Sequence, residues 1–270
     1  MPEAKQETIL VTEQGSTLTI TLNRPERRNA ISPTMQSELI AALQGAAASN
    51  CRVVILQGAG EAFCSGLDLA VLQTMHQKSV AEHRADAERI ATLFRTLFEL
   101  PKPTIAAVHG PAIAGGTGLA TLCDFTLAVP TAKFGYTEVR IGFVPALVSA
   151  FLALQVGDKR ARGLLLSGRF FDAAEANHFG LVNEIVAPEL LSARAQELAH
   201  ALAQNSPQSL AATKRLMALQ NKAWLDAAIA AALEANAEAR ETADFREGIS
   251  AFLEKRKPAW TELPESSERV

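Results

Sequence analysis

The sequence predicts an α/β fold with a helical C-terminal region, and three observations lead to this prediction. In the first half, short apolar segments are followed by glycine-bearing turns and then by segments with helical periodicity. From about residue 188 onward the strand patterns end, and Ala-rich segments of helical spacing take over. The chain has 270 residues, of which 48% are hydrophobic and 20% charged, so it can bury a large core. We therefore expect a core domain over residues 1–195 and a helical region over residues 196–270.

Two strands and a helix are predicted in the first 60 residues. Residues 17–22 (TLTITL) alternate along the chain, which indicates a strand. Ser32 and Pro33 are a typical N-cap and first helical residue, so a helix begins there. Residues 52–57 (RVVILQ) predict a buried strand, and the glycine-containing segment that follows it predicts a turn.

The next helix precedes the most apolar part of the chain. Ser79 and Glu82 have the spacing of a capping box, and two prolines end the helix that they begin. Residues 104–123 are almost long enough to cross a bilayer, but a proline, a histidine and four glycines interrupt them. We therefore predict a buried strand at 104–108, a glycine-rich turn and a short helix that reaches Cys123.

The remaining core elements are shorter. Residues 125–129 (FTLAV) predict a strand, and residues 134–142 (FGYTEVRIG) a strand end with its turn. Asp172 and Glu175 predict another capped helix, and residues 181–186 (LVNEIV) predict the last strand. The helical segments beyond favour docking or oligomerisation, with a simple cover for the chain's own core as the alternative.

Charge and cysteine content exclude several classes of protein. Twenty-six basic and 29 acidic residues give a net charge of −3, which argues against a protein that coats nucleic acid. Cys51, Cys64 and Cys123 are too few and too scattered for a disulfide framework, and no CxxC pair occurs. They are typical of buried thiols in a reducing compartment. The polar N-terminal residues do not resemble a signal peptide, so we expect a cytoplasmic location and no membrane partner.

Common catalytic and metal-binding motifs are absent from the sequence. It contains no GxxxxGK[ST] phosphate loop, no GxGxxG segment after a strand and no GxSxG nucleophile elbow. The five histidines are scattered, and there is no HExxH or Cys/His cluster. We therefore expect no protein-bound metal ion. A serine-protease triad is not expected either, since nothing places Ser65 and His109 in a suitable setting.

Three predicted strand ends carry polar and glycine residues, namely residues 63–68, 114–118 and 134–138. Because consecutive parallel strands tend to lie side by side, their carboxyl-end turns can meet at one crevice. A helix that begins at Gly115 and Gly116 would direct free N–H groups towards a ligand there, which is the basis of an oxyanion hole. The spacing alone leaves open the alternative that these glycines only permit close packing of helix on strand.

Six segments in this order resemble the crotonase (enoyl-CoA hydratase/isomerase) superfamily. They are LNRPERRNA, AFCSGLDL, AAVHGPAIAGGTGLATLCDFTLA, FGYTEVRIGFVP, GLLLSGRFFDAAEANHFGLVNEIV and FLEKRKPAW. The resemblance extends from about residue 8 to about residue 260. It implies a spiral of repeated β-β-α units and a C-terminal helical trimerisation region, in a homotrimer or a dimer of trimers. It also implies a coenzyme A thioester as substrate, so that coenzyme A is part of the substrate and no cofactor is tightly bound.

The resemblance further implies roles for individual residues. The backbone N–H groups of Leu67 and Gly115 match the pair that holds the thioester oxygen, and Glu138 matches a catalytic glutamate. Phe252 and Lys255 match positions that reach the coenzyme A of a neighbouring subunit, although a core Phe and a surface Lys are the plain alternative. The residues that the resemblance places around the coenzyme A thioester are Arg27, Arg28, Ala30, Ser65, Gly66, Asp68, Leu69, Phe252 and Lys255.

One position departs from the pattern of the family's hydratases, which hold water between two glutamates. The position of the first glutamate is Gly118 here, and only Glu138 is present. A single carboxylate can move a proton between carbons 2 and 4 of an enolate, so we expect double-bond isomerisation by a single-glutamate variant. Other isomerases of the superfamily place an acid after the proline that matches Pro145, and Ala146 stands there. We also expect Gly118 to leave room for a bulky acyl group.

Three alternatives remain open. Hydration is possible if Glu138 holds the water alone or with another polar group, such as Asp68, Thr117 or Tyr136. A non-catalytic acyl-CoA-binding homologue would keep the fold without turnover. RNA binding, known for some relatives, is disfavoured by the charge of −3 and the lack of an aromatic and basic stripe, so no nucleic-acid partner is expected.

Overall fold

The computed structural model describes residues 7–68, 71, 74 and 79–260 of the chain. The strands of this part are β1 (Ile9–Gln14), β2 (Thr17–Leu22), β3 (Val53–Gly58), β4 (Thr104–Val108), β5 (Ala112–Ile113), β6 (Phe125–Ala128), β7 (Lys133–Gly135), β8 (Phe170–Asp172) and β9 (Glu184–Ile185). The helices are α1 (Pro33–Ala48), α2 (Val80–Phe98), α3 (Gly115–Leu122), α4 (Ala146–Val156), α5 (Asp158–Ser167), α6 (Ala173–His178), α7 (Leu191–Ala203), α8 (Pro207–Arg240) and α9 (Ala243–Leu253). The α/β fold with a helical C-terminal region is confirmed.

The strands form two sheets. A six-stranded sheet has the order β1-β2-β3-β4-β6-β9, and a three-stranded sheet has the order β5-β7-β8. From β2 to β9 all neighbours in the larger sheet are parallel, so the carboxyl ends of β2, β3, β4 and β6 lie at one edge. The segments after β3 and β4 therefore begin side by side, as the sequence predicts for the strand ends that carry its glycine motifs.

Strand β1 was not predicted from the sequence. It pairs antiparallel with β2 at the edge of the larger sheet. Five of its six residues are exposed, including Leu10 and Val11, so the alternation that a half-buried strand shows is missing. The predicted last strand is also shorter than expected, because only Glu184–Ile185 of residues 181–186 pairs with β6.

Local helix signals are confirmed at atomic detail. The Ser32 hydroxyl accepts a hydrogen bond from the N–H of Met35 at the start of α1. Ser79 and Glu82 form a complete capping box at the start of α2. The Asp172 carboxylate accepts from the N–H of Glu175 and caps α6. These predictions succeed because the cap residues and their partners lie within one turn of the chain.

The C-terminal helices cover the core and the helix α2. Helix α7 contacts strands β2, β3, β4 and β6, and it spans the predicted boundary at residue 195. Helix α8 has 34 residues and packs on α2 and α4, while α9 packs on the 3-10 turn Glu138–Ile141. The helical region is therefore in direct contact with the segment that carries Glu138. None of the described helices is both long and apolar enough to span a bilayer.

Candidate active site

A cavity of about 560 Å³ opens where the glycine-rich segments meet. Its wall comes from the segment after β3, from the junction of β5 and α3, from the segment that joins β7 to α4, and from α2, α8 and α9. Most of the lining is apolar, with charged side chains on the segment before α1. Of the predicted site residues, the lining includes Arg27, Arg28, Ala30, Ser65, Leu67, Asp68, Gly115, Glu138 and Phe252.

The segment around Gly66 is held between two neighbouring stretches of backbone. On one side the N–H of Ile31 donates to the carbonyl of Gly66 at 2.7 Å. On the other side the N–H of Ile113 donates to the carbonyl of Cys64 at 2.9 Å. Gly66 has φ +84°, and a Cβ there would lie 2.9 Å from the Ile113 carbonyl oxygen. A side chain at this position is therefore excluded both by conformation and by space.

Two backbone N–H groups remain unused at this crossing. The bridge between Ile31 and Leu67 uses the groups of Gly66 and Asp68, so the N–H of Leu67 points away from it. Gly115 is the first residue of α3, where an N–H has no acceptor within the helix. Within the described residues, neither N–H donates a hydrogen bond. Two unpaired donors at one cavity wall can stabilise a negative charge on a ligand oxygen.

The residues on either side of Gly115 bring these donors together. Ala114 has φ +52°, a rare conformation for a residue with a side chain, and its N–H donates to the carbonyl of Gly135 at 2.6 Å. A Cβ at Gly116 would lie 2.2 Å from the carbonyl oxygen of Cys64. The two interpretations of the glycine motif thus apply to different residues. Gly116 permits close packing, and Gly115 lines the cavity at the start of α3, where its N–H has no acceptor within the helix.

Glu138 begins the 3-10 turn that follows β7 and lines the same cavity. Its Oε2 atom is buried and has no hydrogen-bond partner in the described part of the chain. Burial raises the pKa of this carboxyl to about 7 and outweighs the opposing effect of a hydrogen bond from its own backbone N–H. A carboxyl with this pKa can both take and release a proton near neutral pH.

The space beside Gly118 is occupied. A Cβ at this position would lie 2.9 Å from Val148 Cγ1 and 3.1 Å from Phe94 Cζ. Gly118 therefore leaves no extra volume for an acyl group, and that expectation was wrong. The residue is glycine because Phe94 and Val148 fill the site where a side chain would stand.

The other polar candidates near Glu138 are engaged in the core or in an ion pair. The Thr117 hydroxyl donates to the carbonyl of Ala112 at 2.6 Å and is fully buried. The Tyr136 hydroxyl lies 3.4 Å from that of Thr121, and burial raises its pKa well above the usual range. Neither residue lines the cavity. Asp68 does, but Oδ2 of its buried carboxylate lies 2.6 Å from Nη1 of Arg24.

Charged side chains form the other end of the cavity. Glu26, Arg27 and Arg28 are exposed and contribute to its lining. The segment turns sharply here, because Arg28 and Asn29 both have positive φ. The Asn29 amide, fully buried, donates to the carbonyls of Ala59 and Ala62, at 2.8 Å each. Asn29 therefore fixes the position of the two arginines, a role that the sequence analysis missed although Asn tolerates this conformation.

Three predicted contacts are not part of the described cavity wall. Gly66 and Lys255 are not in the cavity wall, although Gly66 positions the Leu67 N–H, and Leu69 lies outside the described residues. Phe252 lines the cavity of its own chain and is 56% exposed there. Among the described residues no group of three or more His, Cys, Asp or Glu side chains could hold a metal ion.

Several lining residues had no signal in the sequence. Ile90 and Phe94 come from α2, and Asn236 comes from α8. Their periodicity predicts helix faces but does not show whether a face meets the core or a cavity. Asn236 is buried within an Ala-rich helix, and the packing of α8 on α2 and α4 brings it to the cavity.

Three comparisons with known proteins, by family model, by sequence and by structure, agree on one family. The family model described as enoyl-CoA hydratase/isomerase matches residues 12–263. A Thermus thermophilus protein provisionally named enoyl-CoA hydratase is 45% identical over 91% of this chain and 98% of its own length. The 1,2-epoxyphenylacetyl-CoA isomerase of Escherichia coli is 34% identical over 94% of this chain and 98% of its own length. The crystal structure of an enoyl-CoA hydratase/isomerase from Xanthobacter autotrophicus has a TM-score of 0.84 and 34% identity, and the match covers 92% of this chain and 97% of that one.

Proposed function

The chain belongs to the enoyl-CoA hydratase/isomerase family, and from this premise we propose that it moves the double bond of an enoyl-CoA thioester between carbons 3 and 2. The observation that carries this proposal is the Glu138 carboxyl, whose Oε2 atom is buried without a partner among the described residues, in the wall of the cavity that Leu67 and Gly115 also line. Family membership indicates a coenzyme A thioester as substrate, and the residues of the cavity wall support isomerisation as the reaction.

The reaction proceeds through an enolate. The N–H groups of Leu67 and Gly115 donate to the thioester oxygen, and these bonds strengthen as negative charge develops on it. Such donors are fixed before the reaction, so they require no reorganisation, and each can contribute about 3 kcal/mol to the transition state. The same stabilisation makes the hydrogens at carbon 2 acidic enough for a carboxylate to remove.

Glu138 then acts as the base and as the acid. Its carboxylate takes a proton from carbon 2 of a 3-enoyl thioester, the electron pair of that C–H bond forms a double bond between carbons 1 and 2, and the carbonyl pair moves onto the thioester oxygen to give a dienolate that still holds the double bond between carbons 3 and 4. The protonated Glu138 returns the proton to carbon 4, and the double bond ends between carbons 2 and 3. No atom is gained or lost, and the reverse reaction uses the same steps. A pKa of about 7 suits a group that must carry the proton in both directions.

Hydration is the second candidate, and the name of the Thermus thermophilus relative favours it. A hydratase must hold and activate a water molecule in addition to moving the proton at carbon 2. The carboxylate of Asp68 is paired with Arg24, and Phe94 and Val148 fill the space beside Gly118. These contacts leave Glu138 without a second acidic partner in the described cavity wall, which supports isomerisation over hydration.

Product analysis separates the candidates. The purified protein is incubated with 3-enoyl-CoA and with 2-enoyl-CoA, and the products are analysed by mass and by ultraviolet absorbance of the conjugated thioester. We expect unchanged mass with altered conjugation. A gain of one water molecule would identify a hydratase, and binding without turnover would identify a non-catalytic homologue.

The variant Glu138→Gln tests the assigned residue. It keeps the size of the side chain and removes its ability to exchange a proton, so turnover should fall by about two or more orders of magnitude. Glu26→Gln is a matched control, since Glu26 also lines the cavity but is exposed at its charged end. Full activity of Glu138→Gln would contradict the proposed mechanism.

Binding and assembly complete the proposal. Arg27 and Arg28 provide positive charge for the phosphates of coenzyme A at the charged end of the cavity.

We propose that the chain forms a homotrimer or a dimer of trimers, because Leu216, Met217 and Leu219 of α8 are each more than half exposed in the single chain. A cytoplasmic location fits the three cysteines, which are free and buried.

A further inference from the structure

An arginine is buried directly behind the wall of the cavity. Arg240 ends α8, and its side chain has no exposed surface. It lies one helical turn beyond Asn236, on the same face of the helix, and Asn236 lines the cavity. The guanidinium is 5.8 Å from the ring centre of Phe143, which lines the cavity as well.

One edge of this guanidinium has no partner. Nη1 donates to Nδ1 of His83 at 3.2 Å and lies 3.9 Å from Oδ2 of Asp86. Nε and Nη2 are buried and make no hydrogen bond to any described residue. These two nitrogens lie along the same edge of the planar group, and together they match the two oxygens of a carboxylate.

Asn236 adds a second unsatisfied group at the same place. Its Oδ1 is also buried without a partner among the described residues, and the residue is only 5% exposed. A side-chain amide can offer either a donor or an acceptor by rotation about its last bond. Unsatisfied buried polar groups are rare in proteins, and two such groups one helical turn apart indicate a ligand that satisfies them.

The surrounding charges favour an anion as this ligand. Arg240 lies 3.9 Å from the carboxylate of Asp86, which also lies 3.2 Å from Nη1 of Arg89. Asp86 is thus shared between two arginines. His83 accepts from Arg240 through Nδ1, and its Nε2 faces Glu241 at 3.7 Å. The buried positive charge of Arg240 is therefore compensated only in part.

We propose that Asn236 and Arg240 form a recognition site for a carboxylate at the far end of the acyl chain. The substrates would then be thioesters of dicarboxylic acids, with one carboxyl joined to coenzyme A and the other bound by the free edge of Arg240. Asn236, one helical turn before Arg240, and Phe143, whose ring centre lies 5.8 Å from the guanidinium, both line the cavity. The inference rests on the proposed function, because it assumes that an acyl-CoA thioester occupies the cavity.

Binding of saturated thioesters tests this site without any turnover. Glutaryl-CoA and adipyl-CoA end in a carboxylate, and pentanoyl-CoA and hexanoyl-CoA are their methyl-ended counterparts of equal length. Since none of them has a double bond, calorimetric titration measures affinity alone. We expect the carboxylate-ended member of at least one pair to bind about tenfold or more tightly, the usual effect of charge-assisted hydrogen bonds.

Variants then assign the preference to its residues. Arg240→Met should abolish the preference while the affinity for the methyl-ended thioester stays within about threefold, and Asn236→Leu should reduce it. Arg84→Met is a matched control, because it removes another arginine from the contact of α2 with α8, where Arg84 lies 3.0 Å from Glu234. Arg84→Met should keep the preference. Thermal unfolding of each variant shows whether it is folded.

Two outcomes would overturn the inference. The first is a wild-type protein that binds the methyl-ended thioesters as tightly as the carboxylate-ended ones, a measurement that needs no variant. The second is an Arg240→Met variant that loses affinity for both classes equally, which would assign the residue a structural role. Absence of turnover with a preserved preference would reject the proposed isomerase activity and leave this site intact.

Discussion

A carboxyl group in an apolar cavity is costly to a fold, and Glu138 is such a group. Its Oε2 atom has no partner in the described residues, and burial raises the pKa of the carboxyl to about 7. The protein therefore keeps a proton on this side chain far above the pH at which an exposed glutamate releases it. The same feature that disfavours the charged form makes the group a suitable proton carrier at neutral pH.

The pH dependence of catalysis should report this pKa. Removal of the proton at carbon 2 requires the carboxylate, so kcat/KM should fall about tenfold for each pH unit below about 7. The measurement is an initial-rate series with a 3-enoyl-CoA substrate between pH 5 and 9. An acid limb near pH 4.5 would show that the carboxyl is hydrated in the working enzyme and would contradict its burial.

The stability of the fold should depend on the same titration of Glu138. Catalysis requires the ionised carboxylate, whereas folding favours the protonated carboxyl. The raised pKa means that the folded state binds more protons than the unfolded state between pH 4.5 and about 7. The stability that this gives is fully present below pH 4.5 and is lost as the pH rises through about 7. Glu138→Gln is neutral at every pH, so at pH 8 it should be more stable than the wild type by on the order of 3 kcal/mol.

Urea unfolding at pH 5 and pH 8 checks this difference. At pH 5 the difference should shrink to under about 1 kcal/mol, since the carboxyl stays protonated in the fold and only the unfolded chain releases its proton there. Glu26→Gln provides the comparison for an exposed carboxyl. Equal stabilities of the wild type and Glu138→Gln at pH 8 would show that the buried carboxylate has partners that compensate its charge.

At the scale of elements, the site depends on how closely helix α3 approaches the segment after β3. Gly116 makes this approach possible, because a Cβ there would lie 2.2 Å from the carbonyl oxygen of Cys64. Backbone atoms cannot move aside as a flexible side chain can. The distance between the helix start and the segment therefore fixes the relative position of the Leu67 and Gly115 N–H groups.

The variant Gly116→Ala should therefore lower both stability and turnover. A methyl group at this point forces the two backbones apart, and overpacking of this kind costs about 1–3 kcal/mol. The expected signature is a loss of kcat that is larger than the change in KM, since the N–H donors act mainly in the transition state. Chemical unfolding and steady-state kinetics measure the two effects.

Gly45 provides the control for this substitution. It is exposed in helix α1, and a Cβ there would meet nothing within 4 Å. Gly45→Ala should raise stability by about 0.5–1 kcal/mol and leave turnover unchanged, because alanine favours a helix interior. If Gly116→Ala behaved like Gly45→Ala, the close approach would not be required for the site.

The elements that the sequence predicts depend on residues close together in the chain, and those that it misses depend on residues far apart. The capped starts of α1, α2 and α6 depend on residues three positions apart, so a local pattern is sufficient. Strand β1 is held by its pairing with β2 while its side chains remain exposed, so its own pattern carries little information. The contents of the space beside Gly118 depend on α2 and α4, which are distant in sequence. For that reason the expectation of free volume failed.

At the scale of the whole molecule, the C-terminal helices complete the cavity. Asn236 of α8 and Phe252 of α9 both line it, and α9 packs on the 3-10 turn that begins with Glu138. The rings of Phe143 and Phe245 lie 4.9 Å apart between their centres, tilted by 36°, and this contact joins α9 to the segment after Glu138. The family resemblance assigns Phe252 to a neighbouring subunit's coenzyme A, whereas its position here lies against the cavity of its own chain.

If the chain assembles as proposed above, mixed oligomers decide whether Phe252 acts at the cavity of its own chain or at that of a neighbour. A Phe252→Ala subunit keeps Glu138, and a Glu138→Gln subunit keeps Phe252. If Phe252 acts in its own chain, as its position in the cavity wall indicates, the active sites of a mixture all lack one of the two residues. We therefore expect Phe252→Ala to raise KM, and we expect that raised KM to persist after the two variants are dissociated and reassembled together.

Native mass spectrometry of subunits with different tags confirms that they have mixed, and reassembled Phe252→Ala alone is the reference. Recovery of the wild-type KM in the mixture would show that Phe252 completes the site of its neighbour, because a Glu138-containing subunit would then receive the aromatic ring from a Glu138→Gln partner.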